Sequence, residues 1–86
     1  MSRPLVRIGD STSHGGTVMT GSPNMIVDGK PVARLGDKVS CPIHGDTVVN
    51  SGSPTYITDG KPTARDGDTT ARDAKLSATQ IYYLIN

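Results

Sequence analysis

Gly21-Ser22-Pro23-Asn24-Met25-Ile26-Val27-Asp28-Gly29-Lys30-Pro31-Val32-Ala33-Arg34-Leu35-Gly36-Asp37 is a frame that the chain uses again 31 residues later. Gly21-Ser22-Pro23 returns as Gly52-Ser53-Pro54, and Asp28-Gly29-Lys30-Pro31 as Asp59-Gly60-Lys61-Pro62. Ala33-Arg34 returns as Ala64-Arg65, and Gly36-Asp37 as Gly67-Asp68. A repeat at fixed offset matters first, because each unit is one small element that needs its neighbours to bury an apolar face. A further Gly-Asp, Gly9-Asp10, stands 27 residues before Gly36-Asp37. With Gly-Asp opening each unit, the chain reads as one domain over residues 1–86, with units at about 9–35, 36–66 and a truncated 67–86. Three similar units in one chain predict pseudo-threefold symmetry.

Each full unit has the grammar of hairpins. Met25-Ile26-Val27 and Thr55-Tyr56-Ile57 lead toward Asp-Gly, and Pro-Val-Ala-Arg or Pro-Thr-Ala-Arg follows. Asp-Gly suits a two-residue turn in which both central residues need positive φ. Thr17-Val18-Met19 and Thr47-Val48-Val49 read as further short strands ahead of the Gly-Ser-Pro turns. Leu5-Val6-Arg7-Ile8 and Ile81-Tyr82-Tyr83-Leu84-Ile85 are the apolar ends, expected to complete the shortened third unit.

Composition agrees with an all-β fold. Val and Ile number 13 and Thr another 10, against nine of Ala, Leu and Glu together. β-Branched side chains lose rotamer freedom in a helix and pack well on a pleated surface. Ten Gly and six Pro interrupt any long helix. All eight acidic residues are Asp, the net charge is +1, and there is no basic run, so the footprint of a nucleic-acid binder is missing. No apolar stretch reaches the roughly 20 residues of a membrane-spanning helix. Met1-Ser2-Arg3-Pro4-Leu5-Val6-Arg7 has no apolar core of a signal peptide, so export is expected by another route.

In 86 residues the core is small, and such domains often need a staple. Cys41 is the only cysteine, so an intramolecular disulfide is not the staple. A metal is the next candidate. Counting four residues on from the Asp of each Gly-Asp gives His14 in the first unit and Cys41 in the second. His44 follows in Cys41-Pro42-Ile43-His44-Gly45. Threefold packing brings these positions toward one axis, and imidazole with thiolate suits tetrahedral Zn2+. Such a site contributes roughly 10 kcal/mol or more of folding free energy in small domains. In the third unit the same count falls on Arg72, which stays protonated and cannot ligate. Arg72 is expected to turn to solvent or toward an aspartate, with Asp73, water or a partner group closing the metal sphere.

These residues together resemble the PAAR-repeat proteins. The resemblance rests on Gly9-Asp10 with His14-Gly15-Gly16, Gly36-Asp37 with Cys41-Pro42-Ile43-His44-Gly45, the Gly-Ser-Pro pairs, Pro31-Val32-Ala33-Arg34 and Pro62-Thr63-Ala64-Arg65. The last two stand where that family has Pro-Ala-Ala-Arg. The resemblance implies a small conical fold of short β-hairpins with zinc near the apex, held by His14, Cys41 and His44. It implies a broad base on the blunt end of a trimeric VgrG-like spike, one cap per trimer, in a type VI secretion system or a related phage tail. The expected action is mechanical: covering exposed strand ends, which otherwise pair indiscriminately, and sharpening the spike for membrane piercing and effector delivery. The protein is then made in the cytoplasm and carried out at the tip of the injection apparatus.

Two rival classes are weighed against this. A three-ligand zinc with an open position resembles a catalytic site, whose bound water has a pKa of about 7. Such enzymes usually need a carboxylate base, often Glu, and the chain has none; Asp46 is the substitute near His44. A chain of this size is also expected to lack room for a substrate pocket of about 300 Å3. Ser13 and His14 with an aspartate form a triple that is cheap in Asp-rich turns. The expectation is therefore no catalysis and no catalytic residues. The other rival is a free metal-stabilised adaptor for separate effector proteins, with no effector extension expected before Leu5 or after Asn86. Asp10, Asp37 and Asp68 are expected to cap turns. Arg34 and Arg65 are expected on strand surfaces or paired with aspartates. Tyr56, Tyr82 and Tyr83 are expected in the core or at the base.

Overall fold

The two Asp-Gly pairs turn as their residue types dictate. In the computed structural model, which describes residues 2–43, 45–80 and 82–86, Asp28 and Gly29 have φ of 51° and 80°, and Asp59 and Gly60 have 53° and 77°. Positive φ at both central positions is the type I′ turn, whose twist matches that of paired strands. Among the described residues the chain forms short strands and no helix: β1 (Arg3–Pro4), β2 (Ser11–Thr12), β3 (Ile26–Val27), β4 (Lys30–Pro31), β5 (Lys38–Val39), β6 (Thr47–Val48), β7 (Ile57–Thr58), β8 (Lys61–Pro62), β9 (Leu76–Ser77) and β10 (Leu84–Ile85). β3 pairs with β4 and β7 with β8, Val27 opposite Lys30 and Thr58 opposite Lys61. The third hairpin has no turn. It is made by β10 and β1, from the two ends of the chain, with Ile85 opposite Arg3.

From each hairpin the chain enters a central strand, and three such strands close on themselves. The Val6 amide donates to Ala64 O at 3.0 Å, Ala64 to Ala33 O at 3.0 Å, and Ala33 to Val6 O at 2.8 Å. This cycle of three hydrogen bonds defines the pseudo-threefold axis, and all three residues have no exposed surface. Small side chains at two of the three places are what the close approach requires.

Each central strand then turns through Gly-Asp. The Asp10, Asp37 and Asp68 amides donate to the carbonyls of Arg7, Arg34 and Arg65 at 3.1, 3.0 and 2.9 Å. The glycine before each Asp has φ of 91°, 89° or 86°, the left-handed backbone that the third residue of a type II turn needs. Each buried Asp Oδ2 also accepts the amide of the same Arg, at 2.9, 2.7 and 2.7 Å. The turn-capping role expected of the three aspartates is therefore observed.

Beyond these turns the strands form a second closed ring. Within units, Ser11 bridges Thr17, Lys38 pairs with Val48, and Thr69 bridges Lys75. Between units, Val18 bridges Val39, Val49 bridges Thr70, and Leu76 pairs with Thr12. A closed ring leaves no free edge in spite of strands this short. Inside it Val18, Val49, Leu76 and Val39 join Val6, Ala33 and Ala64 in one buried cluster. A second cluster of Leu5, Val27, Val32 and Ile85 lies under the hairpins, with Met25 and Tyr56 packed against it. The body measures 29 × 25 × 23 Å.

Candidate metal centre and hairpin face

His14 sits on a loop whose shape Thr12 sets. The Thr12 amide donates to Gly16 O at 3.0 Å, and its Oγ1 accepts the amides of His14 and Gly16 at 3.3 and 3.0 Å. Arg72 sits on the same loop in the third unit. Thr70 donates to Ala74 O at 2.9 Å and accepts the Arg72 and Ala74 amides at 3.3 and 3.2 Å. The correspondence of His14 and Arg72 is thus one of backbone structure as well as of count. Arg72 and Asp73 are both exposed, so the expectation that Arg72 faces away into solvent holds. In the second unit Val39 replaces the threonine and the loop is longer. Cys41 is a free thiol, 6% exposed, and its carbonyl accepts the Gly45 amide at 2.8 Å.

The three loops leave one more threefold cycle. Ser13 donates to Lys75 O, Ser40 to Thr17 O and Ala71 to Val48 O, at 2.9, 2.8 and 3.0 Å. His14, Cys41 and Arg72 each directly follow a member of this cycle, so each leaves the ring at an equivalent place. The first two loops are in contact. A Cβ on Gly16 would lie 1.9 Å from the carbonyl oxygen of Ser40, and one on Gly15 would lie 3.8 Å from Pro42. The structure therefore sets the loops that carry His14 and Cys41 side by side. His44, the third expected ligand, lies outside the described residues. Among the described residues no three His, Cys, Asp or Glu side chains are grouped to hold a metal ion. The donor set, one imidazole and one shielded thiol on adjoining loops, fits a zinc by its chemistry.

The opposite end of each central strand presents the hairpins. Ile26, Ile57 and Leu84 hold the same place in the three hairpins and are 50%, 53% and 51% exposed. Each is followed by an inward residue, Val27, Thr58 or Ile85. Met25, Tyr56 and Tyr83 precede them, and the Tyr56 and Tyr83 hydroxyls lie 2.7 Å apart. The tyrosine expectation of a core place holds for Tyr56, which packs against the lower cluster, while Tyr82, 85% exposed, is not in the core.

Arg34 and Arg65 pair with aspartates as expected. Each gives Nε and Nη2 to Asp37 or Asp68 at 2.9–3.0 Å. Burial opposes the charge on Asp68, but hydrogen bonds from Arg65 and Ser51 outweigh it and hold the carboxyl below its usual range. Arg7 differs. Thr79 stands between it and Asp10, accepting from Arg7 Nη2 at 3.1 Å and donating to Asp10 Oδ1 at 2.6 Å. An open groove of about 540 Å3, lined by Ser2, Arg3, Pro54, Arg65 and Asn86, exceeds the room expected of so short a chain. It opens where the third hairpin lacks its turn, and neither His14 nor Cys41 lines it.

Two structural features escaped the sequence reading. Pro4-Leu5-Val6-Arg7-Ile8-Gly9-Asp10 is a third copy of Pro31 to Asp37 and Pro62 to Asp68. Its signal is the shared Pro, Arg, Gly and Asp at fixed spacing, obscured by Leu5-Val6. Gln80 takes the place of Ser22 and Ser53. Ser22 Oγ accepts the Asn24 and Met25 amides, Ser53 Oγ those of Thr55 and Tyr56, and Gln80 Oε1 those of Tyr82 and Tyr83.

Among known proteins, no curated sequence matches the chain significantly. A family model, that of the PAAR motif, matches residues 8–78, a span that takes in the loops of His14, Cys41 and Arg72 and two of the three hairpins. With most of its length inside that match and its threefold cycles built around the Pro-x-x-Arg strands, the chain belongs to the PAAR-motif family.

Proposed function

We propose that the chain is a structural tip that caps the trimeric VgrG-like spike of a type VI secretion system, one cap per trimer. The observation that carries this reading is the set of half-exposed apolar residues at equivalent hairpin positions, Ile26, Ile57 and Leu84. A trimer offers three identical surfaces, and a single chain with three equivalent apolar contacts can meet all of them at once. Among the described residues both rings close on themselves, so neither offers a free strand edge beside the hairpin face. The role is mechanical rather than catalytic: the chain covers the blunt end of the spike and stiffens it for passage through a target membrane, with separate effector proteins as further cargo. It leaves the cytoplasm on that spike.

At the other end, His14, Cys41 and His44 hold a zinc. Bound there, the metal supplies a rigid crosslink between loops that have little apolar core. Cys41 presents its shielded sulfur from the longer loop, and Gly16 keeps the His14 loop against Ser40.

Co-purification with a VgrG-like trimer, with the mass measured by light scattering, tests the cap. The expected complex has one copy of this chain per three spike chains, and Ile26→Asp with Ile57→Asp and Leu84→Asp abolishes it while the isolated chain still folds. A triple variant that binds like the parent removes the hairpin face from the reading. Elemental analysis after gel filtration tests the metal, with about one zinc per chain expected and none in a Cys41→Ser, His44→Ala variant.

A further inference from the structure

The second ring has three sides of one backbone pattern, and their outward side chains differ. The Gly9, Gly36 and Gly67 amides donate to Val18, Val49 and Leu76 O at 3.0, 2.8 and 2.8 Å, so those three residues are equivalent. They are buried, as are Val39 and Thr70, and by strand alternation their chain neighbours point outward. Where the first and second units meet, Lys38 pairs with Val48 and lies beside Met19, whose amide donates to Lys38 O at 2.8 Å. The equivalent rows are Ser77, Ser11 and Thr17 on one side and Asn50, Thr69 and Lys75 on the other. One side of three is therefore apolar around a single cation, and the other two are polar throughout.

Exposure picks out the same side. Among the described residues the exposed large hydrophobic side chains fall into two groups. Ile26, Ile57, Tyr82, Tyr83 and Leu84 belong to the hairpins or lead into them. The rest are Met19, Val48 and Ile43, the last on the loop that joins β5 to β6. Lys38 is exposed between Met19 and Val48, and among the described residues it makes no ion pair. Asp37, next to it in the chain, is buried and spent on Arg34.

Met19, Lys38 and Val48 stand on three adjacent strands, a row of about 10 Å. A short segment covers such a row, which falls far short of the roughly 800 Å2 that each partner buries in a stable dimer. We propose that the β5–β6 side docks a short segment of another protein in which a carboxylate lies between apolar side chains, one segment per chain. Met19 and Val48 take the apolar groups, and the Lys38 ammonium takes the carboxylate. A symmetric trimer would address all three sides alike, so a side that occurs once serves a partner that is present once. The surface does not depend on what covers the hairpin face.

The test is a titration of the full chain, followed by backbone 15N and methyl 13C signals at constant ionic strength. The probes are N-acetyl-Val-Asp-Val-Asp-Val amide and N-acetyl-Val-Lys-Val-Lys-Val amide. The aspartate peptide is expected to shift Met19, Lys38 and Val48 saturably and to leave Ser11 and Thr17 unmoved, and the lysine peptide to shift none. Lys38→Glu is expected to reverse that preference. Met19→Ser with Val48→Thr gives this side the residues that Ser77 and Thr17 supply on another. That double variant is expected to keep Tm within about 5 °C of the parent and to bind the aspartate peptide at least tenfold more weakly. No saturable shift with the aspartate peptide, equal binding of both peptides, or a double variant that binds as the parent does overturns the surface. A dimer of the parent in light scattering that the double variant abolishes overturns it too, and gives this side to a second copy of the chain.

Discussion

At the scale of single residues, the fold rests on a few places where one side chain or its absence decides the geometry. Gly16 is one. A methyl there would meet the Ser40 carbonyl at 1.9 Å, although the third unit accommodates Ala74 at the corresponding position. Gly16→Ala is expected to cost at least about 2 kcal/mol of unfolding free energy in urea titration, because backbone and not a flexible side chain must yield. Asp68 is another. Its folded carboxyl titrates below the unfolded value, so its contribution is full above roughly pH 4 and is lost as pH falls through the folded pKa. Asp68→Asn should cost about 2–3 kcal/mol at neutral pH and flatten the acid limb of stability against pH; an unchanged limb would assign acid unfolding to other carboxyls. The candidate metal loops give a third case. Arg72 has the backbone of His14, so Arg72→His presents a further imidazole at an equivalent place. Competition with a chromophoric chelator should then show zinc held at least tenfold more tightly. The spacing from Gly-Asp made the His14, Cys41 and Arg72 correspondence legible in the sequence, because turn and loop chemistry are local. Arg3 and Arg65 as walls of one groove were not legible, since that depends on a missing turn between residues distant in the chain.

At the scale of elements, the short strands explain both what the sequence reveals and what it hides. The Asp28-Gly29 and Asp59-Gly60 hairpins are written in two residues each, and positive φ at both confirms their type. The apolar ends were expected to complete the third unit; that they do so by pairing β1 with β10 was not legible in their composition. In the six-stranded ring Thr17-Val18 and Thr47-Val48 were legible as strands, but the pairing that closes the ring was not. Two-residue strands give no periodicity to read, and their partners are set by closure around the axis. Gln80 is the sharpest instance. No Gly-Ser-Pro precedes β10, so the third unit looks truncated, yet one glutamine performs the duty of a serine and more. Its Nε2 donates to Leu5 O and Tyr83 O at 3.1 and 2.9 Å, while Oε1 receives the Tyr82 and Tyr83 amides at 2.8 and 2.7 Å. Gln80→Ala should cost about 2–3 kcal/mol, since buried partners are left unsatisfied. The loss should be local: hydrogen exchange speeds up in residues 82–86 while Val6, Ala33 and Ala64 amides stay protected. Uniform loss of protection would instead make the end hairpin part of one cooperative unit with the central strands.

At the scale of the whole molecule, threefold topology makes the position of the chain break almost arbitrary. Three hairpins feed three central strands, and only the third hairpin is open, with Ile85 opposite Arg3 as Val27 is opposite Lys30 and Thr58 opposite Lys61. Two residues are all that separate the partners in the closed hairpins. Joining Ile85 to Arg3 through Asp-Gly therefore builds a third type I′ turn, and the chain can be reopened between Asp28 and Gly29. This permutant trades one two-residue turn for another and keeps every central hydrogen bond. Its Tm is expected within about 5 °C of the parent, a difference of about 1 kcal/mol for a domain of this size. A second permutant opened between Val32 and Ala33 breaks the cycle formed by Val6, Ala33 and Ala64, and it is expected not to fold cooperatively. If both fold alike, the central cycle is not what organises the molecule. If neither folds, the equivalence of the three hairpins is one of shape without interchangeable stability.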